Sequence, residues 1–251
     1  MILTNPIATG NTADIYLVEG KLIKLFKEYL PDGEAEYEAN KQRYVYAHGL
    51  SVPFVYEVTK INGRQAIIMD YIPGETVGDI IFNDKTQAEY YMSLSVDVQM
   101  KIHSIKADDF ELMTDKLNRQ ILSAPCLNKE QKNVLINKLN NMQKHENKLC
   151  HGDYHILNLI LNDTDITIID WVDASAGDIR ADVCRSYLLY LLFSPELANL
   201  YIRLYCEKSG LSQEDIFEWT PIIAGAKLNE RLDSVNENKL LEIIDQEIEE
   251  I

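Results

Sequence analysis

The first seventy residues alternate between apolar and polar positions in the way that strands do. Short alternating runs, rich in β-branched and aromatic residues, predict strands at residues 7–9, 15–18, 22–26, 55–60 and 66–69. The Glu19-Gly20 and Asn62-Gly63 pairs predict tight turns between neighbouring strands. A helix is predicted from about residue 33 to 48, with Gly49 as its stop. Together these patterns predict a small five-stranded antiparallel sheet with one helix.

The pattern changes to helical spacing after the segment 70–74, Asp-Tyr-Ile-Pro-Gly, which breaks the last strand. The helices predicted from this spacing and from cap signals cover residues 77–82, 86–105, 112–122, 129–144, 178–193 and 195–208, a segment after Ser212, and a final apolar stripe of Leu240, Ile243, Ile244, Ile248 and Ile251. We therefore predict an α+β fold with a sheet lobe at residues 1–70 and a larger, mainly helical lobe at residues 71–251.

Composition and charge exclude several classes of protein. The apolar share of 46% and charged share of 25% are typical of a globular protein. A net charge of −16 argues against a nucleic-acid backbone as partner and is compatible with a cationic small molecule. The longest apolar run, residues 187–193, falls far short of the roughly 20 residues that cross a bilayer, so no membrane partner is expected. The sequence carries no signal for an oligomeric state.

The four cysteines are far apart in the chain, at positions 126, 150, 184 and 206, and form no C-x-x-C pair. The chain starts without a basic and apolar signal region. We therefore expect reduced thiols and a cytoplasmic location.

Candidate chemistry is concentrated in residues 150–158, Cys-His-Gly-Asp-Tyr-His-Ile-Leu-Asn, and in Ile-Ile-Asp-Trp at 168–171. Moving a phosphoryl group to a hydroxyl requires a carboxylate beside the hydroxyl, and metal ions that neutralise the phosphate oxygens. Asp153 offers that catalytic base, while Asn158 and Asp170 offer the oxygen ligands that suit Mg²⁺. The order base, amide, carboxylate is that of the protein-kinase catalytic loop. The stretch therefore predicts a phosphoryl-transfer centre.

These motifs resemble those of the aminoglycoside phosphotransferase and choline kinase family of small-molecule kinases, with HGD, an Asn five residues after its Asp, and then IDW. Residues 177–183, Gly-Asp-Ile-Arg-Ala-Asp-Val, are similar to the segment that follows that family's metal-binding Asp. The resemblance implies a two-lobed, protein-kinase-like fold, ATP and Mg²⁺ as cofactors, and a nucleotide-binding N-terminal lobe. It also implies that Asp182 braces the catalytic loop by hydrogen bonds, and we interpret His151 as a residue that fixes this loop.

Several N-terminal residues are candidates for binding the nucleotide. Gly10, with the hydroxyl of Thr12, would let backbone N–H groups approach phosphates. Lys24 lies in an apolar strand, where a charge is costly unless it is paired. The family resemblance implies that this lysine contacts phosphates and is held by a helix glutamate, which the spacing places at Glu38. It also implies that the adenine bonds to hinge backbone, for which the candidates are Asp70, Tyr71 and Ile72.

Two alternatives to a phosphoryl-transfer site remain open. His151, Asp153 and His155 alternate, so on a strand they would share one face and could bind zinc. The same stretch could also be an ordinary buried turn.

The phosphoryl acceptor is predicted to be a hydroxyl of a small molecule, and an aminoglycoside-type substrate is the leading candidate. Choline, ethanolamine, homoserine, a sugar and a macrolide are the alternatives. Asp173 and Glu230 are candidate substrate carboxylates, because the segments that carry them line that side of the cleft in the family; a structural role is their alternative.

A non-catalytic nucleotide-binding regulator is a second class of hypothesis, against which the complete set of catalytic residues argues. A protein kinase is a third, disfavoured because H-R-D, D-F-G and A-P-E segments are absent from the sequence.

Overall fold

The computed structural model describes residues 3, 5–107, 109–143, 145–163, 165–230 and 232–249. The chain forms two compact units, residues 1–83 with 156–172, and residues 84–155 with 173–251. This division differs from the predicted boundary at residue 70, because segments 71–83 and 156–172 group with the N-terminal strands. The Ile168 N–H donates to the carbonyl of Ser51 at 2.8 Å, which ties the later segment into the first unit.

An antiparallel sheet of five strands forms the first unit's N-terminal part. The strands are β1 (Ala8–Thr9), β2 (Ala13–Val18), β3 (Lys21–Phe26), β4 (Val55–Ile61) and β5 (Arg64–Asp70), in the order β1-β2-β3-β5-β4. Glu19 and Asn62 have φ of 50° and 51° and each precedes a glycine with positive φ, as tight hairpin turns require. The predicted five-stranded sheet is therefore confirmed.

Helix α1 (Glu34–Ala47) packs against one face of this sheet. Its Ala35 and Ala39 share a core with Phe26, Ile67 and Met69. A second core, on other side chains of the same strands, contains Ile23, Leu25, Ile61 and Ala66. Because side chains alternate along a strand, Lys24 lies on the same face of β3 as Phe26 and points towards α1.

The rest of the first unit is a three-stranded sheet with one helix. Strand β6 (Glu75–Thr76) leads into α2 (Val77–Asn83). The next strand along the chain, β7 (Lys148–Cys150), belongs to the second unit and is described with it. Strands β8 (Leu159–Asn162) and β9 (Asp165–Ile168) form a hairpin, and β6 pairs with β8. Gly74 has a φ of 144°, and a Cβ there would lie 2.2 Å from the carbonyl oxygen of Leu161, so only glycine fits this approach.

Helices dominate the second unit. They are α3 (Ala88–His103), α4 (Met113–Ser123), α5 (Lys129–Asn141), α6 (Ile179–Phe193), α7 (Pro195–Ser209), α8 (Gln213–Phe217), α9 (Thr220–Lys227) and α10 (Ser234–Glu249). Strand β10 (Ser175–Gly177) pairs antiparallel with β7. In the described part of the chain, every helix is too short or too polar to cross a lipid bilayer.

The predicted and observed helices differ in two places. The helix predicted at 129–144 ends at Asn141, and its last residue, Lys144, lies outside the described residues, as does Ile251 of the final stripe. Helix α9 was not predicted; residues 221–227 are all buried, so the segment lacks the solvent-facing polar side that marks a surface helix.

Candidate active site

A buried ion pair lies on the α1 side of β3. The Nζ atom of Lys24 is 2.6 Å from Oε1 of Glu38 and 3.4 Å from Oδ1 of Asp170. Burial alone would lower the pKa of Lys24, but the negative charges of Glu38 and Asp170 outweigh it and raise this pKa above its ordinary value. The ammonium group therefore remains charged at neutral pH.

The two predicted metal ligands lie at neighbouring ends of the β8–β9 hairpin. Asn158 directly precedes β8, Asp170 follows β9, and the pairing of Leu159 with Ile168 brings these ends together. The Ile169 N–H donates to the carbonyl of Asn158 at 3.0 Å. Asp170 has a left-handed φ of 64°, a region that aspartate tolerates better than most residues. Their amide and carboxylate oxygens are hard ligands of the kind that Mg²⁺ takes.

The first unit contains a cavity of about 410 Å³, a volume typical of small-molecule sites. Apolar side chains form much of its lining, among them Ala13, Ile15, Leu22, Met69, Ile160 and Ile169. The predicted site residues that line it are Gly10, Thr12, Lys24, Glu38, Asp70, Tyr71, Ile72 and Asp170. The structure therefore brings the predicted phosphate-binding and hinge residues of this unit to one cavity with Asp170, whereas Asn158 is not among its lining residues.

The turn at residues 10–12 is held from outside the cavity. The Lys27 N–H donates to the carbonyl of Thr12 at 2.8 Å. The carboxylate of Asp14 accepts hydrogen bonds from Lys27, from Arg64 at 2.9 Å and from Thr9 at 3.2 Å. The bonds from Lys27 and Arg64 lower the pKa of Asp14 to about 2. These contacts restrain a turn that carries one glycine where a phosphate loop often has several.

In the second unit, two side chains of α6 hold the peptide groups of Gly152. Asp182 accepts from the Gly152 N–H at 2.8 Å and from the His151 N–H at 3.3 Å, while Arg185 donates to the Gly152 carbonyl. Asp182 and Arg185 are three residues apart, so they share one face of the helix. Gly152 has a φ of 80°, and a Cβ there would lie 2.3 Å from the carbonyl oxygen of Asp173. The central glycine of the motif is therefore sterically required.

Asp182 is the centre of a buried hydrogen-bond network. It is hydrogen-bonded to Nε2 of His103 at 2.9 Å and accepts from the amide of Gln99 at 3.3 Å. Nδ1 of His103 is 2.7 Å from the hydroxyl of Tyr205. Burial alone would raise the pKa of Asp182, but the hydrogen bond and charge of His103, with the Gly152 N–H, lower it to about 2.

Asp153 is oriented by its two histidine neighbours. Its N–H donates to Nδ1 of His151 at 3.2 Å, and Oδ2 lies 3.5 Å from Nε2 of His155. Burial alone would raise the pKa of Asp153, but the hydrogen bond from His155 and the charge of Arg185 hold it well below its ordinary value. Asp153 is therefore a carboxylate at neutral pH.

The described residues do not group His151, Asp153 and His155 as a set of metal ligands. Among those residues, the group of possible ligands that does come together is His103, Cys150 and Asp182, which is buried. In that group, His103 is hydrogen-bonded to Asp182, Asp182 accepts from the Gly152 N–H, and the Cys150 thiol lies 3.8 Å from the Asp178 carbonyl, so hydrogen bonding accounts for the arrangement. The zinc alternative gains no support from this geometry.

The two candidate substrate carboxylates are both ion-paired inside the second unit. Asp173 lies 2.6 Å from Nζ of Lys116. Glu230 lies 2.8 Å from Arg185 and 2.8 Å from Lys227. These positive partners supply the counter-charges that we expected from a cationic substrate.

Several residues with contacts in the site were not predicted from the sequence. Arg185 and Lys116 are single cations within helices, and their sequence context does not distinguish them from surface charges. The signal for Arg185 was its position one helical turn after Asp182. Lys41 and Gln42 on α1, one turn after Glu38, were also missed, although both are buried.

Comparison with known proteins agrees with this geometry. A family model described as "Phosphotransferase enzyme family" matches residues 4–219. A search among curated protein sequences found no significant match.

Solved structures share the fold at low sequence identity. A thermostable mutant of aminoglycoside phosphotransferase APH(4)-Ia matches with a TM-score of 0.69 and 15% identity, covering 98% of this chain and 92% of that chain. An amicoumacin kinase, hAmiN, matches with a TM-score of 0.66 and 14% identity, covering 96% and 86%. A choline kinase from Cryptosporidium parvum Iowa II matches with a TM-score of 0.64 and 13% identity, covering 98% and 88%. These matches confirm the predicted kinase-like fold, and the family model over residues 4–219 confirms the predicted family.

Proposed function

The chain belongs to the phosphotransferase enzyme family, and from this premise we propose that it transfers the γ-phosphoryl group of ATP to a hydroxyl of a small molecule. The observation that best supports the proposal is the cavity of about 410 Å³ lined by Lys24, Glu38 and Asp170. A cation fixed by a buried glutamate beside a second carboxylate is suited to phosphates that arrive with a divalent metal ion.

The donor nucleotide would occupy this cavity. The apolar walls would enclose the adenine, and the backbone of Asp70, Tyr71 and Ile72 would offer it hydrogen bonds. Lys24 would bind phosphate oxygens, with Gly10 and Thr12 on the turn beside them. The amicoumacin kinase of similar fold was solved with AMP-PNP and Ca²⁺, which supports a nucleotide with a divalent ion as the ligand.

Asn158 and Asp170 would hold Mg²⁺, which neutralises charge on the phosphates when it is bound. The hard oxygen donors of these two residues fit that ion. Because the carboxylate of Asp170 also lies 3.4 Å from Lys24, the same residue would set the spacing between the metal ion and the lysine.

Asp153 would orient the acceptor hydroxyl and receive its proton. A carboxylate with a low pKa is a weak base, and phosphoryl transfer through a loose transition state makes small demands on base strength. His155 would hold the carboxylate in position, while His151, Asp182 and Arg185 would hold the loop backbone.

The acceptor class has two candidates. An aminoglycoside-type acceptor is favoured by the family resemblance and by the net charge of −16. A neutral, hydroxyl-rich acceptor is favoured by the ion pairs at Asp173 and Glu230, because Lys116, Arg185 and Lys227 already balance these carboxylates. A polycation would have to compete with those internal partners.

A coupled assay of ADP release tests the proposal, using ATP and Mg²⁺ against separate sets of aminoglycosides, choline-like amines, amino-acid alcohols, sugars and macrolides. Turnover that depends on one set, and that is lost in Asp170→Ala, supports a small-molecule kinase and selects between the acceptor classes. A protein whose melting temperature rises with Mg²⁺ and AMP-PNP, but which turns over no acceptor, would instead support the regulator alternative. No effect of nucleotide on melting would contradict the proposal.

A further inference from the structure

Helix α1 presents a buried polar face towards the rest of the first unit. Glu38, Lys41 and Gln42 lie at positions i, i+3 and i+4, so they point to the same side of the helix. Their exposed fractions are 2%, 6% and 2%. Polar groups at this depth are costly unless they are bonded, so the contacts of this face decide where α1 can sit.

Each of these side chains reaches a different segment of the unit. Glu38 pairs with Lys24 on β3 at 2.6 Å. Gln42 donates to the carbonyl of Pro53 at 2.6 Å. Lys41 donates to the carbonyl of Val172 at 2.6 Å, and its ammonium lies 4.1 Å from the centre of the Tyr37 ring.

The Lys41 contact is the informative one, because Val172 comes two residues after Asp170. Helix α1 is therefore joined to the candidate metal-binding segment twice, through Glu38 and Lys24 to Asp170, and through Lys41 to Val172. Lys41 itself is not among the described residues that line the cavity. It can influence a bound nucleotide only by positioning other groups.

Burying the ammonium group of Lys41 has a cost in free energy. Its removal from water costs several kcal/mol, and an apolar side chain of similar volume would often be as stable or more so. The contact with the Val172 carbonyl thus suggests a use other than stability.

We propose that Lys41 is a positioning residue, which fixes α1 against the segment after Asp170 and so keeps Lys24, Glu38 and Asp170 in place for a metal–triphosphate before any nucleotide arrives. The proposal rests on nucleotide binding at the cavity. It goes beyond that function because it says that one side chain outside the cavity, Lys41, keeps the phosphate-binding residues in place in the ligand-free protein.

The experiment compares two ligands by isothermal titration calorimetry, AMP-PNP with Mg²⁺ and adenosine alone. Lys41→Met keeps the length and apolar stem of the side chain but removes the donor and the charge. A lost hydrogen bond to a charged group corresponds to roughly a tenfold change, so Kd for Mg²⁺ and AMP-PNP should rise about tenfold or more. Kd for adenosine should stay within about twofold, because adenosine has no phosphates, and Lys41→Arg should recover most of the affinity.

The matched control is Arg43→Met, which makes the same kind of change at a half-buried position of the same helix, where the arginine pairs with Glu36. It should leave both Kd values unchanged. If Lys41→Met does not fold, Lys41→Gln is used in the same comparison, since its shorter amide cannot reach as far.

Three results would overturn the proposal. One is an unchanged Kd for Mg²⁺ and AMP-PNP in the Lys41 variant, and another is an equal loss for adenosine, which would indicate a general disturbance of the cavity. The third is a wild-type protein that binds neither ligand, which would remove the proposed function as well and is thereby distinguished from the first two.

Discussion

At the scale of single residues, the site depends on backbone conformations and charges that few other side chains can supply. Gly152 combines a left-handed φ of 80° with the close approach of the Asp173 carbonyl. Lys24 and Glu38 form a buried ion pair. If either side chain were replaced, the charge of the other would stay buried without this partner, which would lower the stability of the protein. Both features can be tested without knowing the acceptor.

Gly152→Ala should destabilise the protein more than Gly210→Ala does. Both glycines have similar φ, 80° and 76°, but a Cβ at residue 210 meets nothing within 4 Å, so that variant reports the cost of φ alone. Strain of this kind costs about 1–3 kcal/mol, and the clash at residue 152 adds to it. Urea unfolding of both variants measures the difference. Equal free energies of unfolding would show that the Asp173 carbonyl does not restrict this position.

The Lys24–Glu38 pair should show strong coupling in a double-mutant cycle. Lys24→Met or Glu38→Leu alone leaves a buried charge without its partner and should cost about 3–5 kcal/mol in the free energy of unfolding. The double variant should lose less than the sum of the two single losses, because it buries no unpaired partner. Chemical denaturation of the ligand-free protein provides the four values. Additive losses would contradict the buried pair.

At the scale of elements, helix α6 holds the loop that carries Asp153, and strand β3 carries Lys24. The alternation of β3 was readable from the sequence, and with it the side of the sheet on which Lys24 lies. The contacts of α6 were readable only in part. The resemblance implied Asp182. Apart from its position one helical turn after Asp182, nothing in the sequence distinguished Arg185 from a surface charge, because its partners, the Gly152 carbonyl and Glu230, are 33 and 45 residues away.

Asp182 should make stability depend on acidic pH. Its pKa of about 2 in the folded protein lies below the ordinary value of 3.8. A lowered pKa adds stability above the ordinary pKa, and this contribution is lost as the pH falls towards the folded value. The gap corresponds to roughly 2 kcal/mol.

The measurement is urea unfolding of the wild type and Asp182→Asn at neutral pH and at about pH 3. The advantage of the wild type over the variant should shrink by about 1 kcal/mol over this interval, because Asn cannot titrate. An advantage that stays constant with pH would show that the Asp182 carboxylate is not preferentially stabilised in the folded state.

At the scale of the whole molecule, the chain is a kinase-like α+β phosphotransferase whose predicted site residues fall into two sets. The nucleotide and metal candidates lie in the first unit, while Asp153 and its supports lie in the second. The sequence predicted the family because short motifs with fixed spacing identify it, and the site residues assigned from those motifs stay a prediction. It could not predict how the units divide the chain, since the pairing of β6 with β8 joins residues more than 80 positions apart.

The ion pairs of the two candidate substrate carboxylates could not be predicted from the sequence either. Asp173 and Glu230 suggested a negatively charged surface for a cationic substrate. In the structure, Lys116 pairs with Asp173, while Arg185 and Lys227, three residues earlier in the chain, pair with Glu230. Net charge summed over 251 residues says little about a local site. This is why the class of reaction follows from the motifs more directly than the substrate does.

The measurement that tests the central claim most directly is turnover by Asp153→Asn on whichever acceptor the screen identifies, together with the Kd of the same variant for AMP-PNP and Mg²⁺. Loss of a catalytic base typically lowers the rate about 10²–10⁴-fold. We predict a kcat lowered to that degree, with the Kd for the nucleotide within about twofold of wild type, since Asp153 is placed on the acceptor side. A variant that keeps wild-type kcat would contradict the assignment of Asp153 and the mechanism built on it.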